Sequence, residues 1–388
     1  MATRQVATAH ERFWFGLAGN GQADRAAPNK DPCQRSFFMA VGMTNRPTLD
    51  GLRGLAAYIV FASHVSNATG LWQKLLGEGG GQLGVMLFFV LSGYLMGAIY
   101  IDRPFLIGNI YAYAIHRIAR VVPLYYLAVL IAACAGLEGI AAPVTSANLL
   151  SHLAFVRGDS VFWTIPVELQ FYALFVALWW VNARAKPILT IALIAAIVSA
   201  LALRLDTSWF ATLPFHVAYF LAGLLVSRRF PLDTPASTSI GWAAILLVGL
   251  LACFLLFPNI AATAFGAQRP GDPLYFMLMW MNPLCLIAAV CVLMATLKST
   301  LATMVLGNRF MAYSGKISYS VYLLHLPIIT ALVALTPLAR WPVAFLVTAF
   351  VLTIAASHLS FRFIEAPARQ RMNRLGPVLF RADRAECR

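Results

Sequence analysis

The sequence predicts an all-α, polytopic membrane protein with about ten transmembrane helices and both termini on the cytoplasmic side. Three observations predict it. The 388 residues are 60% hydrophobic and only 11% charged, whereas a soluble domain carries about 25% charged residues. Apolar stretches of spanning length recur along most of the chain. The basic residues concentrate in alternate connections between those stretches. A soluble chain this apolar would lack the polar groups to cover its surface.

Residues 1–45 mix basic and small residues and contain no apolar run of signal-peptide length. They are read as a disordered cytoplasmic arm or an upstream start, with Met43 as an alternative first residue. A spanning helix needs about 20 apolar residues to cross roughly 30 Å of hydrocarbon. Stretches that meet this are 50–68, 83–101, 119–137, 161–181, 187–204, 212–227, 240–257, 275–297, 317–336 and 342–363. The stretch at 212–227 is short and holds His216, which makes it the weakest. The membrane domain is placed at 46–370 and a basic cytoplasmic tail at 371–388.

Charge sets the expected orientation. With the N-terminus inside, the outer loops carry Lys74, Arg157, Arg204, Arg269 and Arg340, and the rest of the 29 Lys and Arg residues fall inside. That obeys the positive-inside rule. The net charge of +14 would suggest nucleic acid in a soluble protein. Beside apolar stretches it points to anionic membrane lipid and topology, with no nucleic-acid partner. Cys33, Cys134, Cys253, Cys285, Cys291 and Cys387 show no metal or redox spacing, so no metal site is expected and the thiols read as small packing residues.

Ionisable residues within spans are costly and usually functional. Arg53 and His64 are 11 residues apart in the first span, about three helical turns, so they share a face about 16 Å apart along the axis. The guanidinium can hold an anion at the cytoplasmic mouth. The imidazole can handle a proton at depth, its pKa lying near neutrality. The bland alternatives are a snorkelling arginine and a hydrogen-bonded core histidine. Arg117 and Arg120 are read as an Arg-x-x-Arg pair at the start of the third span, one turn apart. Such a pair suits phosphate, though ordinary cytoplasmic anchoring would also place it there. Glu168 lies among Trp163, Phe171 and Tyr172. It either orients a histidine or an acceptor hydroxyl, or is a helix-packing carboxylate. His325, near Tyr322 and Pro327, is a second catalytic histidine, a residue that orients one, or an interhelical hydrogen bonder. Ser92-Gly93-Tyr94 reads as close helix packing without chemistry.

These segments together resemble the acyltransferase-3 family of integral membrane O-acyltransferases, from about Arg46 to Gln370. The segments are Leu49-Asp50-Gly51-Leu52-Arg53-Gly54 with His64, Leu87-Phe88-Phe89-Val90-Leu91-Ser92-Gly93-Tyr94, and Arg117-Ile118-Ala119-Arg120-Val121-Val122-Pro123. Trp163 with Glu168, the His325 segment, and Phe361-Arg362-Phe363-Ile364-Glu365-Ala366-Pro367 complete the order. Relatives often have a second acidic residue after the glutamate, where this chain has Leu169.

The resemblance implies a bacterial cytoplasmic-membrane enzyme. It would move an acyl group, acetyl being expected, from cytoplasmic acyl-CoA to a hydroxyl of a cell-surface or secreted glycan. Acyl-CoA would be a donor co-substrate, with no bound cofactor. On this reading His64 is the general base and Glu168 orients it or the acceptor. Arg53, Arg117 and Arg120 hold the phosphates of coenzyme A, and His325 and Tyr322 support the site. Transfer through an acylated His64 is a second chemical route. The alternative functions are O-acylation of a small molecule such as a macrolide, and proton-coupled transport. A transporter would more often show paired halves and broken helices.

Overall fold

The structure, a computed structural model, describes residues 46–134, 144–145, 147–156, 158–186, 190, 193–194, 196–198, 212–265 and 273–379. Among these residues every regular element is helical, apart from one isolated bridge between Ser237 and Ser299. Helix α1 (Pro47–Thr69) starts on a proline, whose fixed φ and missing N–H suit a first turn. It stops at Gly70, whose left-handed backbone (φ 73°) returns its N–H to the Ser66 carbonyl. Helices α2 (Gly81–Tyr100), α3 (Ile107–Cys134), α4 (Thr164–Arg184) and α5 (Leu213–Arg229) follow. Then come α6 (Ile240–Leu255), α7 (Pro283–Lys298), α8 (Arg309–Leu335) and α9 (Pro342–Ser360). A single π turn, Phe361–Glu365, joins α9 to α10 (Ala366–Leu379). Several starts are capped by side chains: Ser239 accepts from Gly241, Asn282 from Leu284 and Asn308 from Met311.

Helices therefore lie at the stretches 50–68, 83–101, 161–181, 212–227, 240–257, 317–336 and 342–363. The stretch 187–204 falls largely outside the described residues, as does the arm 1–45. Two expectations change. The third helix starts at Ile107, well before 119, so Arg117 and Arg120 sit in its middle rather than at its start. The helix can run on through Arg117 because aromatic neighbours receive that guanidinium, as described below. The stretch 275–297 is two helices, Pro273–Met281 and α7, parted at Asn282. Pro283 accounts for the break: it has no N–H to donate and forces the preceding residue out of the helical region. Asn282 is extended, with ψ 116°.

Five helices are long and apolar enough to cross a membrane: Gln73–Tyr100, Ile107–Ala133, Ser160–Arg184, Arg309–Leu335 and Pro342–Asn373. Ile240–Leu255 and Pro283–Lys298 are shorter apolar helices. Helix α1 has spanning length but is more polar, and it occupies the middle of the bundle. It packs most extensively on α8 and then on α2, while α2 packs on α5. Glycines permit these approaches. A Cβ on Gly54 would lie 2.8 Å from the Ser314 Cβ, and one on Gly315 would overlap the Asp50 carbonyl. Gly93 and Gly223 would likewise each strike the other helix's backbone. Gly93 is thus the packing residue the sequence indicated.

One end of the bundle gathers the basic residues. Asp102, just after α2, lies 2.9 Å from Arg228 at the end of α5 and 3.4 Å from Lys186 beyond α4. Arg46 donates to the Leu297 and Thr234 carbonyls. At the other end Asn259 donates to the Gln73 carbonyl at 2.7 Å and Trp280 to Gln82 at 3.0 Å.

Candidate active site

Five helices surround one partly open cavity. Helix α1 contributes Arg53, α2 contributes Phe88, Phe89 and Ser92, and α3 contributes Arg120. Thr164 and Glu168 come from α4, Tyr319 and Tyr322 from α8. Four of the residues singled out in the sequence, Arg53, Arg120, Glu168 and Tyr322, therefore face one space.

The charges in this cavity are partnered unequally. Arg53 has one loose ion pair, 3.7 Å to Asp50 one turn earlier. Among the described residues Arg120 has no hydrogen bond or close ion pair, and its charge acts at longer range on the Asp50 and Glu365 carboxylates. Glu168 accepts from Ser92 Oγ at 3.3 Å and from the Tyr172 hydroxyl one turn later. Both donors use Oε1, so Oε2 stays available. A guanidinium with no close acceptor at a cavity has N–H groups free to take an anion.

Arg117 does not line the cavity. It is 8% exposed, donates to the Tyr100 hydroxyl at 3.3 Å, and lies over the rings of Tyr100 and Tyr172 at 5.4 and 5.8 Å. The Arg-x-x-Arg pair is thereby divided. Arg120 faces the cavity, while Arg117 stands behind it and braces Tyr172, which in turn holds Glu168.

His64 lies outside this cavity, further along α1. Its ring meets that of His325 on α8, with centroids 5.1 Å apart. His325 is 1% exposed, and its Nδ1 lies 2.7 Å from the Tyr322 carbonyl and 3.1 Å from that of Val321. The Tyr322 ring stands 6.0 Å from His325 and also lines the cavity, so it links the two groups. Arg53 and His64 thus occupy different levels of α1, Arg53 at the five-helix cavity and His64 against His325 on α8.

Four features leave little trace in the sequence. Ser92, which the sequence places in helix packing, also lines the cavity and donates to Glu168. Tyr172 had no signal beyond its place one turn after Glu168. Glu365 closes the last of the family-like segments and carries no role in the sequence reading. It is 2% exposed, accepts from Ser320, and pairs with Arg369 at 2.8 Å. An acidic residue ending an apolar run could have marked it. At the other end of the bundle, buried His152 pairs with Asp159 at 3.1 Å. His216 is fully buried, 4.3 Å from the Trp280 ring and 4.8 Å from that of Trp163, which explains a histidine in a short apolar helix.

The chain belongs to the Acyl_transf_3 family of acyltransferases: residues 46–361 match it, and the match is described as an acyltransferase domain. The peptidoglycan O-acetyltransferase OatA of Listeria monocytogenes serovar 1/2a is 26% identical over 375 residues, covering 84% of this chain and 56% of its own. The O-acetyltransferase OatA of Staphylococcus aureus (strain NCTC 8325) is 26% identical over 377 residues, with 83% and 57% covered. A putative O-acetyltransferase of Staphylococcus aureus strain MSSA476 is 25% identical over 375 residues, with 87% and 59% covered. The chain thus spans somewhat over half the length of these curated relatives. No solved structure matches it.

Proposed function

We propose that this chain is a multi-pass O-acetyltransferase of the bacterial cytoplasmic membrane, moving acetyl from cytoplasmic acetyl-CoA to a hydroxyl of a cell-wall glycan. The observation that carries the proposal is the cavity that joins Arg53, Arg120, Glu168 and Tyr322 and adjoins the His64–His325 pair. The family match supports acyl transfer, and the names of the two OatA relatives support an O-linked acetyl group. The glycan acceptor comes from the Listeria relative's name.

On this reading the basic end of the bundle faces the cytoplasm, where acetyl-CoA is. Arg53 and Arg120 bind its phosphates, since guanidiniums match phosphate oxygens in pairs. The extended pantetheine arm carries the thioester past Tyr322 toward the histidines. A glycan hydroxyl is a weak nucleophile until its proton is withdrawn. His64 takes that proton as the hydroxyl oxygen bonds to the acetyl carbon. The carbon–sulfur bond breaks, and the proton passes from His64 to the departing sulfur of coenzyme A. Glu168, its Oε1 fixed by Ser92 and Tyr172, presents Oε2 to the acceptor.

The test is transfer of labelled acetyl to a glycan acceptor by purified protein in lipid. Wild type should transfer, and His64→Ala should lose about 10²–10⁴-fold in kcat, the usual worth of a general base. Near-wild-type transfer by His64→Ala would remove the base from this account.

A further inference from the structure

We propose that His325 is a positioning residue for His64, a neutral imidazole in the place that a carboxylate takes in many catalytic dyads. The inference rests on the reading of His64 as the base and adds what holds it.

The backbone of α8 sets the geometry. Pro327 offers no N–H to the carbonyl four residues earlier and loosens the helix there. His325 sits in that turn with its Nδ1 at two backbone carbonyls, Tyr322 at 2.7 Å and Val321 at 3.1 Å. Carbonyl oxygens only accept hydrogen bonds, so Nδ1 carries the proton. A neutral imidazole has one N–H and one bare nitrogen. The backbone therefore fixes the tautomer and leaves Nε2 as an acceptor. That Nε2 is buried and has no partner among the described residues.

The rings around His325 are those of Phe61 at 6.5 Å, Tyr322 at 6.0 Å and His64 at 5.1 Å. His64 is the nitrogen donor among them. Two imidazoles joined by an N–H···N bond have centroids about 5 Å apart, given ordinary hydrogen-bond lengths. The observed separation already meets this, with the ring planes tilted at 56°. A turn of the His64 ring about its own bond brings one N–H onto His325 Nε2. The other His64 nitrogen is then the bare one and is aimed away from His325, ready to accept the hydroxyl proton.

The proton count closes. The hydroxyl proton goes to the free nitrogen of His64 and leaves on the coenzyme A sulfur. The N–H shared with His325 stays between the two rings throughout, and His325 ends as it began. A neutral partner also suits the bilayer, where a second buried charge would need a counter-ion of its own.

The experiment measures acetyl transfer by wild type, His325→Phe, His325→Gln, His64→Ala and the double variant His64→Ala/His325→Phe, with membrane accumulation read for each. His325→Phe fills the space but removes the acceptor. It should lower kcat about 10²-fold while KM for acetyl-CoA stays within about twofold. His325→Gln keeps an amide donor for the carbonyls and an oxygen acceptor for His64, and should recover at least about tenfold of that loss. The double variant should be no slower than His64→Ala, because His325 acts only through His64. If His325→Phe fails to accumulate, His325→Met replaces it with the same expected loss. Wild-type kcat in an accumulated Phe or Met variant overturns the proposal. So does no recovery in the Gln variant, or a double variant at least tenfold slower than His64→Ala. Near-wild-type activity of His64→Ala overturns the base assignment instead, a separate outcome.

Discussion

Glu168 shows how one carboxylate acquires a direction. Ser92 and Tyr172 both donate to Oε1, and Arg117 braces Tyr172 from behind. Removing the Tyr172 hydroxyl should cost about 1.5–3 kcal/mol of positioning, the range for a hydrogen bond to a charged group. Tyr172→Phe is therefore expected to lower kcat about 10- to 150-fold, and Glu168→Gln at least as much, with KM for acetyl-CoA little changed. Steady-state kinetics with a fixed acceptor checks both. Equal KM increases without a kcat change would place Glu168 in donor binding instead. Arg53, Arg120, Glu168, His64 and His325 were legible in the sequence because an ionisable side chain inside an apolar run must be accounted for. Ser92, Tyr172 and the division of labour between Arg117 and Arg120 were not. Their roles come from partners on other helices, at sequence separations that leave no local pattern.

Among the elements, α1 and α8 position the chemistry, and their approach depends on missing side chains. A Cβ on Gly315 would overlap the Asp50 carbonyl, so Gly315→Val must push the two helices apart. Overpacking of this kind costs about 1–3 kcal/mol or more. The variant is expected to show a lower Tm in detergent, and weaker transfer, as His64 is moved from His325. A Tm equal to wild type would show that the interface yields freely. A second element-level device is Asp102, which ties the ends of α2 and α5. Partial burial pushes its carboxyl up, but the hydrogen bond and charge of Arg228, with the charge of Lys186, pull it below the usual carboxylate range. A depressed carboxylate stabilises the fold above its unfolded pKa of about 3.9 and loses that contribution as pH falls through the folded value. Asp102→Asn should therefore flatten the loss of Tm between about pH 5 and pH 3. An unchanged acid limb would show that the ion pair contributes nothing there. Element positions were largely legible from hydropathy: α1, α2, α4, α5, α6, α8 and α9 lie where apolar runs predicted helices. The early start of α3 was not, because the partners of Arg117, Tyr100 and Tyr172, lie on other helices. The break at Asn282 was written in Pro283 but hidden by the apolar residues on both sides.

For the molecule as a whole, Arg46, Lys186 and Arg228 meet partners at one end of the bundle, Arg46 at Thr234 and the other two at Asp102. On the proposed reading that end lies in the cytoplasm. In a cysteine-free background, Thr238→Cys at the basic end should resist a membrane-impermeant maleimide in intact cells, and Glu78→Cys at the other end should label. The reverse pattern would put the arginines on the side without acetyl-CoA. Composition sufficed for the helical class. It could not say that α1, the most polar of the long helices, is central, since that follows from how α2 and α8 enclose it.

On the proposed function, Arg53 and Arg120 make the cavity a receptor for the phosphates of an acyl-CoA donor. The most direct measurement compares acetyl-CoA with acetyl-pantetheine, which has the thioester but no phosphates, in wild type and Arg53→Ala/Arg120→Ala. The double variant is predicted to raise KM for acetyl-CoA at least about tenfold and to leave kcat/KM for acetyl-pantetheine within about twofold, since only the phosphate contacts are lost. An unchanged KM for acetyl-CoA, or an equal loss with both donors, would contradict it.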